Sequence, residues 1–289
     1  MAEVNLEQNT EDWLLFRKDK IGSSDAPIIM QVSKWKTPFQ LWEEKMSDEL
    51  MTKSNSAMER GKALEEKARK CYEKQKQKSF LPYVGVRYDY PFLIASLDGL
   101  SLDRLNAVEI KCPGIVDHGS AMNGQVPLHY IPQLQHQMFV CHLPSIDYFS
   151  YVSDNDHVTI SVGRDDSYIA DMFQKELVFY KCMKDHTPPS LTDRDYEKRD
   201  DTEWANAVEE WKCAKFGLNI SQEIADKARD RLIALSRNKS SKGLGIAVQK
   251  LVKQGQIDYS KIEALKDVDL NQYRKESTTI FVVREDKNS

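Results

Sequence analysis

Along the first fifty residues, apolar side chains return at helical spacing between polar clusters. "TEDWLLF" (10–16) opens a helix, with Thr10 or Asp12 as its cap and Trp13 and Phe16 facing inward. Gly22 and the Ser-Ser-Asp cluster of "IGSSDAPIIM" interrupt that helix before a new one opens. "PFQLWEEKM" is helical again, with Pro38 suited to a first turn. From Ala57 to Gln77, the residues Leu64, Ala68, Cys71 and Tyr72 make the apolar stripe of an amphipathic helix. The texture then turns β-prone in "YVGVRYDYP", "PFLIASLDGL" and "NAVEIKCP", which turn residues separate. Residues 131–142 return to helix, with Pro132 in the first turn and Leu134, Met138 and Cys141 on one stripe. "IDYFSYVSD" and "HVTISVGR" predict two further strands, and "SYIADMFQKELVFYKCMKDH" predicts a helix stopped by Pro188 and Pro189.

This order predicts an α/β fold over residues 1–189, a central mixed sheet flanked by helices. Residues 190–201, "SLTDRDYEKRDD", are polar and charged and read as a linker. Residues 202–289 form a helical extension with short strands. Two helical patterns lead it, the first with Trp204, Val208 and Trp211, the second with Ile224, Leu232 and Leu235. Two or three short strands are predicted toward its end, the last in "TTIFVVRED".

Composition narrows the function classes. No apolar run in the 289 residues approaches the ~18 of a membrane span. The start is acidic and lacks a basic segment followed by an apolar core, so no secretory signal is expected and the location is read as cytoplasmic. Five cysteines stand singly, without a CxxC pair, and the six histidines show no HxxxH or HExxH spacing. Reduced thiols are expected, with neither a disulfide framework nor a zinc site. The net charge of −4 argues against a protein that coats nucleic acid, although a cleft can be basic on an acidic protein. Residues 59–78 hold eight Lys/Arg against four Glu, a run that most simply reads as a solvated helix face.

One stretch, "SLDGLSLDRLNAVEIKCP" (96–113), places charges among apolar neighbours, where an unpaired charge is costly. If 106–111 is a strand, Glu109 and Lys111 share one face and Val108 and Ile110 the other. Asp98 then ends the preceding strand of a hairpin, with Gly99 letting the backbone turn beside it. Two carboxylates so placed repel unless a divalent cation lies between them. Hard oxygen donors suit magnesium or manganese, and an adjacent lysine can orient or deprotonate a water that the metal has made more acidic. The parts fit metal-assisted phosphodiester hydrolysis. The competing reading is a solvated hairpin on which Glu109 and Lys111 merely pair.

The blocks around this stretch resemble a known family. "SLDG" followed by "VEIKCP" is similar to the D…ExK core of the PD-(D/E)xK nuclease superfamily, with "SLD" in place of that motif's proline. In order, "WLLFRKDKIGSSDAPIIM…WKTPFQLWEEK", "ERGKALEEKA", "SLDG", "VEIKCP" and "HYIPQLQHQMFV" resemble the YqaJ-type viral recombinase group that includes bacteriophage lambda exonuclease. The resemblance covers roughly residues 10–185. It implies a restriction-endonuclease-like core in which Asp98, Glu109, the Ile110 carbonyl and Glu65 hold Mg²⁺, with Mn²⁺ as a substitute. It further implies that Lys111 orients the attacking water, that Gln133 positions water or phosphate, and that Arg17, Ser24 and Tyr130 contact DNA at its 5′-phosphate. Each of Glu65, Gln133 and Arg17 also has a plain reading as surface polarity, beside Glu66, Gln135 and Gln137, and Lys18 and Lys20.

The resemblance therefore implies a phage-type exonuclease that resects duplex DNA 5′ to 3′ and leaves 3′ overhangs for recombination. Its expected partners are duplex DNA ends, a single-strand annealing protein and further copies of itself, a trimeric ring as in the lambda-type enzyme being one such form. Two alternatives remain at this point. One is an endonuclease or single-strand nuclease of the same superfamily; the other is a non-catalytic DNA-binding or assembly protein with a nuclease-like fold.

Overall fold

A computed structural model of the chain describes residues 2–4, 10–47, 56–251 and 262–263, and its contacts divide the chain into two units, Met1–Glu197 and Lys198–Ser289. The first unit begins with β1 (Ala2–Glu3), α1 (Glu11–Lys18), β2 (Ile21–Gly22), α2 (Ala26–Ile29), α3 (Pro38–Met46) and α4 (Ser56–Lys76). It continues through β3 (Phe80–Val86), β4 (Leu93–Ser101), β5 (Ala107–Lys111) and α5 (Ile115–Met122). After a 3-10 turn (Leu128–Tyr130) come α6 (Ile131–Cys141), β6 (Ser145–Ser153), β7 (Asp156–Gly163) and α7 (Asp166–Lys184). The second unit contains α8 (Thr202–Leu235) and the hairpin β8 (Ser241–Gly243) and β9 (Ile246–Val248).

Local chemistry sets many of these boundaries. Thr10, rather than Asp12, caps α1 by accepting the Trp13 N–H. Thr37 and Gln40 form a reciprocal capping box at the start of α3, with Pro38 in its first turn. Asp165 and Asp201 cap α7 and α8 in the same way, each accepting a backbone N–H three residues on.

The sheet is seven-stranded and mixed, in the order β1-β3-β4-β5-β6-β7, with β2 pairing parallel to β4. The β3–β4, β4–β5 and β6–β7 pairs are antiparallel, whereas β5–β6 is parallel. That parallel pair is joined through α5 and α6, as a crossover requires. One core lies between the sheet and the α6/α7 side, built on Leu97, Leu134, Met138, Tyr148 and Phe179. A second joins α4 to the sheet through Ala68, Tyr72, Phe80, Val108, Ile110 and Phe149. There Tyr72 packs its ring 4.9 Å from Phe80 and 5.2 Å from Phe149. Burying such a side chain contributes about 1.5–3 kcal/mol. Strand β5 is thus held from two sides: α4 meets Val108 and Ile110, and side chains of α6 reach Glu109.

Two differences from the sequence-based expectations have physical causes. Asp98 does not end a strand and Gly99 does not turn; β4 runs on to Ser101, and the connection to β5 spans residues 102–106. Gly99 is there for closeness, since a Cβ would fall 2.8 Å from both Phe80 Cβ and Val108 Cγ1. The two helical patterns after residue 201 are one continuous 34-residue helix, α8, which runs through Gly217 because one glycine costs only about 1 kcal/mol. The strand expected in "TTIFVVRED" lies outside the described residues. Among the described residues, no helix is long and apolar enough to cross a membrane.

Candidate active site

The site begins where two strands part. β4 and β5 share only the pairs Gly99↔Val108 and Leu100↔Ala107. Beyond them the ladder is replaced by side chains: Ile110 N–H donates to Asp98 Oδ2 (2.7 Å), and Arg69 on α4 donates to the Asp98 carbonyl (3.0 Å). The apolar sequence around Asp98 builds the strand, and the divergence opens a place for its carboxylate within the sheet.

Glu109, one residue before Ile110, has a side chain only 3% exposed, which overturns the solvated-hairpin reading. Its oxygens are all engaged. Oε1 accepts from Gln133 Nε2 (2.5 Å) and from the Lys111 ammonium (2.6 Å), and Oε2 accepts from Gln137 Nε2 (2.5 Å). Lys111 also lies over the Tyr130 ring, 5.3 Å from its centroid. Burial works against the Lys111 ammonium, but the Glu109 and Asp98 carboxylates outweigh it and hold its pKa above the ordinary lysine value. The ammonium form of Lys111 is thus favoured, and it donates to Glu109. Asp98 keeps some exposure, yet burial comes first among the causes that lift its carboxyl well above the usual range. The negative charge of Glu109 comes next, and Glu65 adds to it, against the opposing pull of Lys111.

This imbalance bears on metal binding. A site with two carboxylates that penalise one another is relieved by a cation, and carboxylate oxygens are hard donors suited to Mg²⁺ or Mn²⁺. Glu65 stands beside Arg69 (3.9 Å), near enough for its charge to act on Asp98. Among the described residues, no three His, Cys, Asp or Glu side chains converge on one point. Asp98 and Glu109 would then be the protein's carboxylate ligands, with backbone carbonyl, water and phosphate completing the shell. That is a common pattern for Mg²⁺, which keeps several waters and takes one or two carboxylates. Ile110 lies on β5 between Glu109 and Lys111, its side chain in the α4 core.

Arg17 and Ser24 belong to a second polar cluster, brought together by the α1–β2–α2 turn. Arg17 Nη2 donates to Ser24 Oγ (3.1 Å) and to Asp25 Oδ1 (3.2 Å). Asp25 Oδ2 accepts from Gly22 N–H (2.9 Å) and from Lys45 Nζ (2.8 Å). Burial pushes the Asp25 carboxyl up, but Lys45, Arg17 and the Gly22 N–H outweigh it and bring its pKa down to about 2. Lys45 is deeply buried and also donates to the Arg17 and Lys20 carbonyls. Arg17, 29% exposed, is the cation of this cluster that solvent can reach.

The structure brings Asp98, Glu109, Lys111, Gln133 and Tyr130 together, with Glu65 at their edge, and joins Arg17 to Ser24 separately. Sequence reasoning missed Gln137, Arg69, Asp25 and Lys45. Gln137 was findable: it is four residues after Gln133, hence on the same helical face. Asp25 and Lys45 meet across twenty residues, and Arg69 reaches the backbone carbonyl of Asp98 from another element, so none of the three is marked in the local sequence.

With this geometry in view, relatives can be compared. Residues 12–144, from α1 to just past α6, match the YqaJ-like viral recombinase domain. The chain is similar to the uncharacterized protein YqaJ of Bacillus subtilis (strain 168), at 31% identity over 188 residues. That match covers 62% of this chain and 59% of the relative's length. The fold is similar to the crystal structure of an alkaline exonuclease (LHK-Exo) from Laribacter hongkongensis, with a TM-score of 0.55 and 26% identity over 62% of this chain and 94% of that one. The same enzyme in complex with dAMP gives a TM-score of 0.55 at 27% identity, over the same shares of the two chains. The first unit is thus a PD-(D/E)xK-like α/β core.

Proposed function

We propose that this protein is a divalent-metal-dependent deoxyribonuclease that resects duplex DNA from its 5′ end and leaves a 3′ single strand for recombination. The observation that carries this reading is the meeting of Asp98, Glu109 and Lys111 where β4 and β5 part, inside a YqaJ-like domain. The likeness to an alkaline exonuclease supports it.

Asp98 and Glu109 would hold the ion, aided by the Ile110 carbonyl. When bound, the ion supplies Lewis acidity and charge neutralisation at the phosphoryl oxygens. The protein's own groups do the rest. The Lys111 ammonium orients the attacking water and balances charge developing on the phosphate. Gln133 and Gln137 fix the Glu109 carboxylate, and Gln133 is placed to pass its amide to water or phosphate beside Lys111. Glu65, reached by way of α4, orders water around the ion. Arg17 and Ser24 grip a terminal 5′-phosphate with a guanidinium fork and a hydroxyl, with Tyr130 contacting the DNA nearer the reacting bond. The protein acts in the cytoplasm of a bacterial host, with an annealing protein that loads onto the exposed strand and as an oligomer.

The test is digestion of a linear duplex with one blocked 5′ end, with Mg²⁺ and with chelator, beside a closed circle. Metal-dependent resection from the free 5′ end alone is expected. Cleavage of the closed circle, or resection from the 3′ end, would replace this reading with another nuclease activity.

A further inference from the structure

Helix α6 buries three consecutive polar side chains, Gln135, His136 and Gln137, an expensive arrangement that their hydrogen bonds offset, with Gln137 Oε1 left without a protein partner. Their partners tie the helix to its surroundings. Gln135 donates to the Gly163 carbonyl (2.9 Å) and accepts from Asp165 N–H (2.9 Å), which locks α6 to the β7–α7 junction. Gln137 donates to the Ser96 carbonyl (2.8 Å) and to Glu109 Oε2 (2.5 Å). His136 lies between them with both ring nitrogens engaged: Nδ1 meets Glu176 Oε1 on α7 at 2.7 Å, and Nε2 meets the Ile94 carbonyl on β4 at 3.0 Å.

A carbonyl only accepts, so His136 Nε2 carries a hydrogen. Nδ1 and the Glu176 carboxyl then share one further proton between them. Neither His136 nor Glu176 is accessible to solvent, and neither touches Asp98 or Glu109, so the pair takes no part in the chemistry proposed above. The carbonyls that α6 grips, Ile94 and Ser96, are two residues apart on β4 and lead to Asp98. Well-packed apolar residues would stabilise the fold about as well as a buried ionic pair. What the pair adds is direction: it fixes the rotation of α6 about its axis and its register along β4.

We propose that His136 and Glu176 form a positioning pair that sets α6 on β4 so that Gln133 and Gln137 hold the two oxygens of Glu109. The inference rests on the reading of Glu109 as an active-site carboxylate. If the pair is loosened, the two amides swing off Glu109, while Arg17 on α1 and Ser24 in the turn after β2 keep their own partners. A misplacement of about 1 Å costs on the order of 10²-fold in rate.

The experiment compares Glu176→Leu, which removes the shared proton, with Glu176→Gln, whose amide can still donate to Nδ1. Each is read by kcat and KM for duplex ends and by thermal melting, with Glu109→Gln and Gln137→Ala as controls. Glu176→Leu is expected to lose roughly 10–100-fold in kcat with KM within about twofold, and Glu176→Gln to recover most of the loss. In the Gln137→Ala background, Glu176→Leu should cost much less, because the two act on one carboxylate. A folded Glu176→Leu protein with wild-type kcat overturns the proposal, as does full additivity with Gln137→Ala. If Glu176→Leu does not fold, His136→Gln, which keeps a donor toward Ile94, takes its place under the same criteria. Activity surviving in Glu109→Gln would instead sink the assignment of the active site itself.

Discussion

Two buried ionic clusters in the first unit use the same ingredients in opposite proportion. Around Glu109, two carboxylates face one lysine, a third carboxylate stands nearby beside Arg69, and Asp98 is held above its ordinary pKa. Around Asp25, one carboxylate faces a lysine and an arginine, and its pKa is brought down to about 2. One cluster is short of positive charge and the other has it in excess. Under the proposed function each imbalance matches a role: the first cluster would receive a cation, the second an anion.

The largest effects are expected at the first cluster. Asp98→Asn or Glu109→Gln should lower DNA hydrolysis by about 10³-fold or more. Asp98→Asn should at the same time raise the melting temperature, because it removes a charge that burial and Glu109 disfavour. A loss of both activity and stability would mean that the charge is satisfied by the fold alone. At the second cluster, Arg17→Ala should cut the preference for a 5′-phosphate over a 5′-hydroxyl end by about 10–100-fold, the worth of a hydrogen bond to a charged group. Parallel assays on the two duplexes measure it, and an unchanged ratio would remove Arg17 from the end-recognition role.

The opposed pKa shifts also give a pH signature. Asp25 has a folded pKa below its unfolded one, so it adds stability at pH values above about 4, and that contribution is lost as pH falls toward 2. Asp25→Asn should cost about 2 kcal/mol at neutral pH. Part of the pair's gain is offset, because burial lowers the Lys45 pKa despite its carboxylate partner. Urea unfolding should show the wild-type advantage shrinking between pH 4 and pH 2. The smallest effect is expected at Glu65→Gln, a loss below about tenfold in rate, since this half-exposed side chain acts on Asp98 at a distance.

Much of this arrangement was legible from residue spacing. Period-two alternation placed Glu109 and Lys111 on one face of β5, and apolar stripes located α4, α6 and α7. The divergence of β4 from β5 was not legible, because it depends on a glycine that looked like a turn and on a carboxylate that bonds a backbone N–H. The anion-facing cluster was half visible. Arg17 and Ser24 were found through family resemblance, while Asp25 and Lys45 are twenty residues apart and meet only once α3 is packed. Likewise, nothing in "QLQHQ" announces that His136 faces Glu176, forty residues further on. In α8 the two expected helical patterns are one helix, since helix propensity along the segment exceeds the cost of the glycine at 217.

Gly99 has a consequence for reading related sequences. With Phe80 and Val108 each 2.8 Å from where a side chain would begin, even a methyl group there would push β4 away from its neighbours and carry Asp98 with it. A relative that keeps aspartate, glutamate and lysine at the three charged positions, but has a larger residue after the aspartate, should therefore be suspected of having lost the enzyme while keeping its letters. The uncharged residue is the better diagnostic of the four.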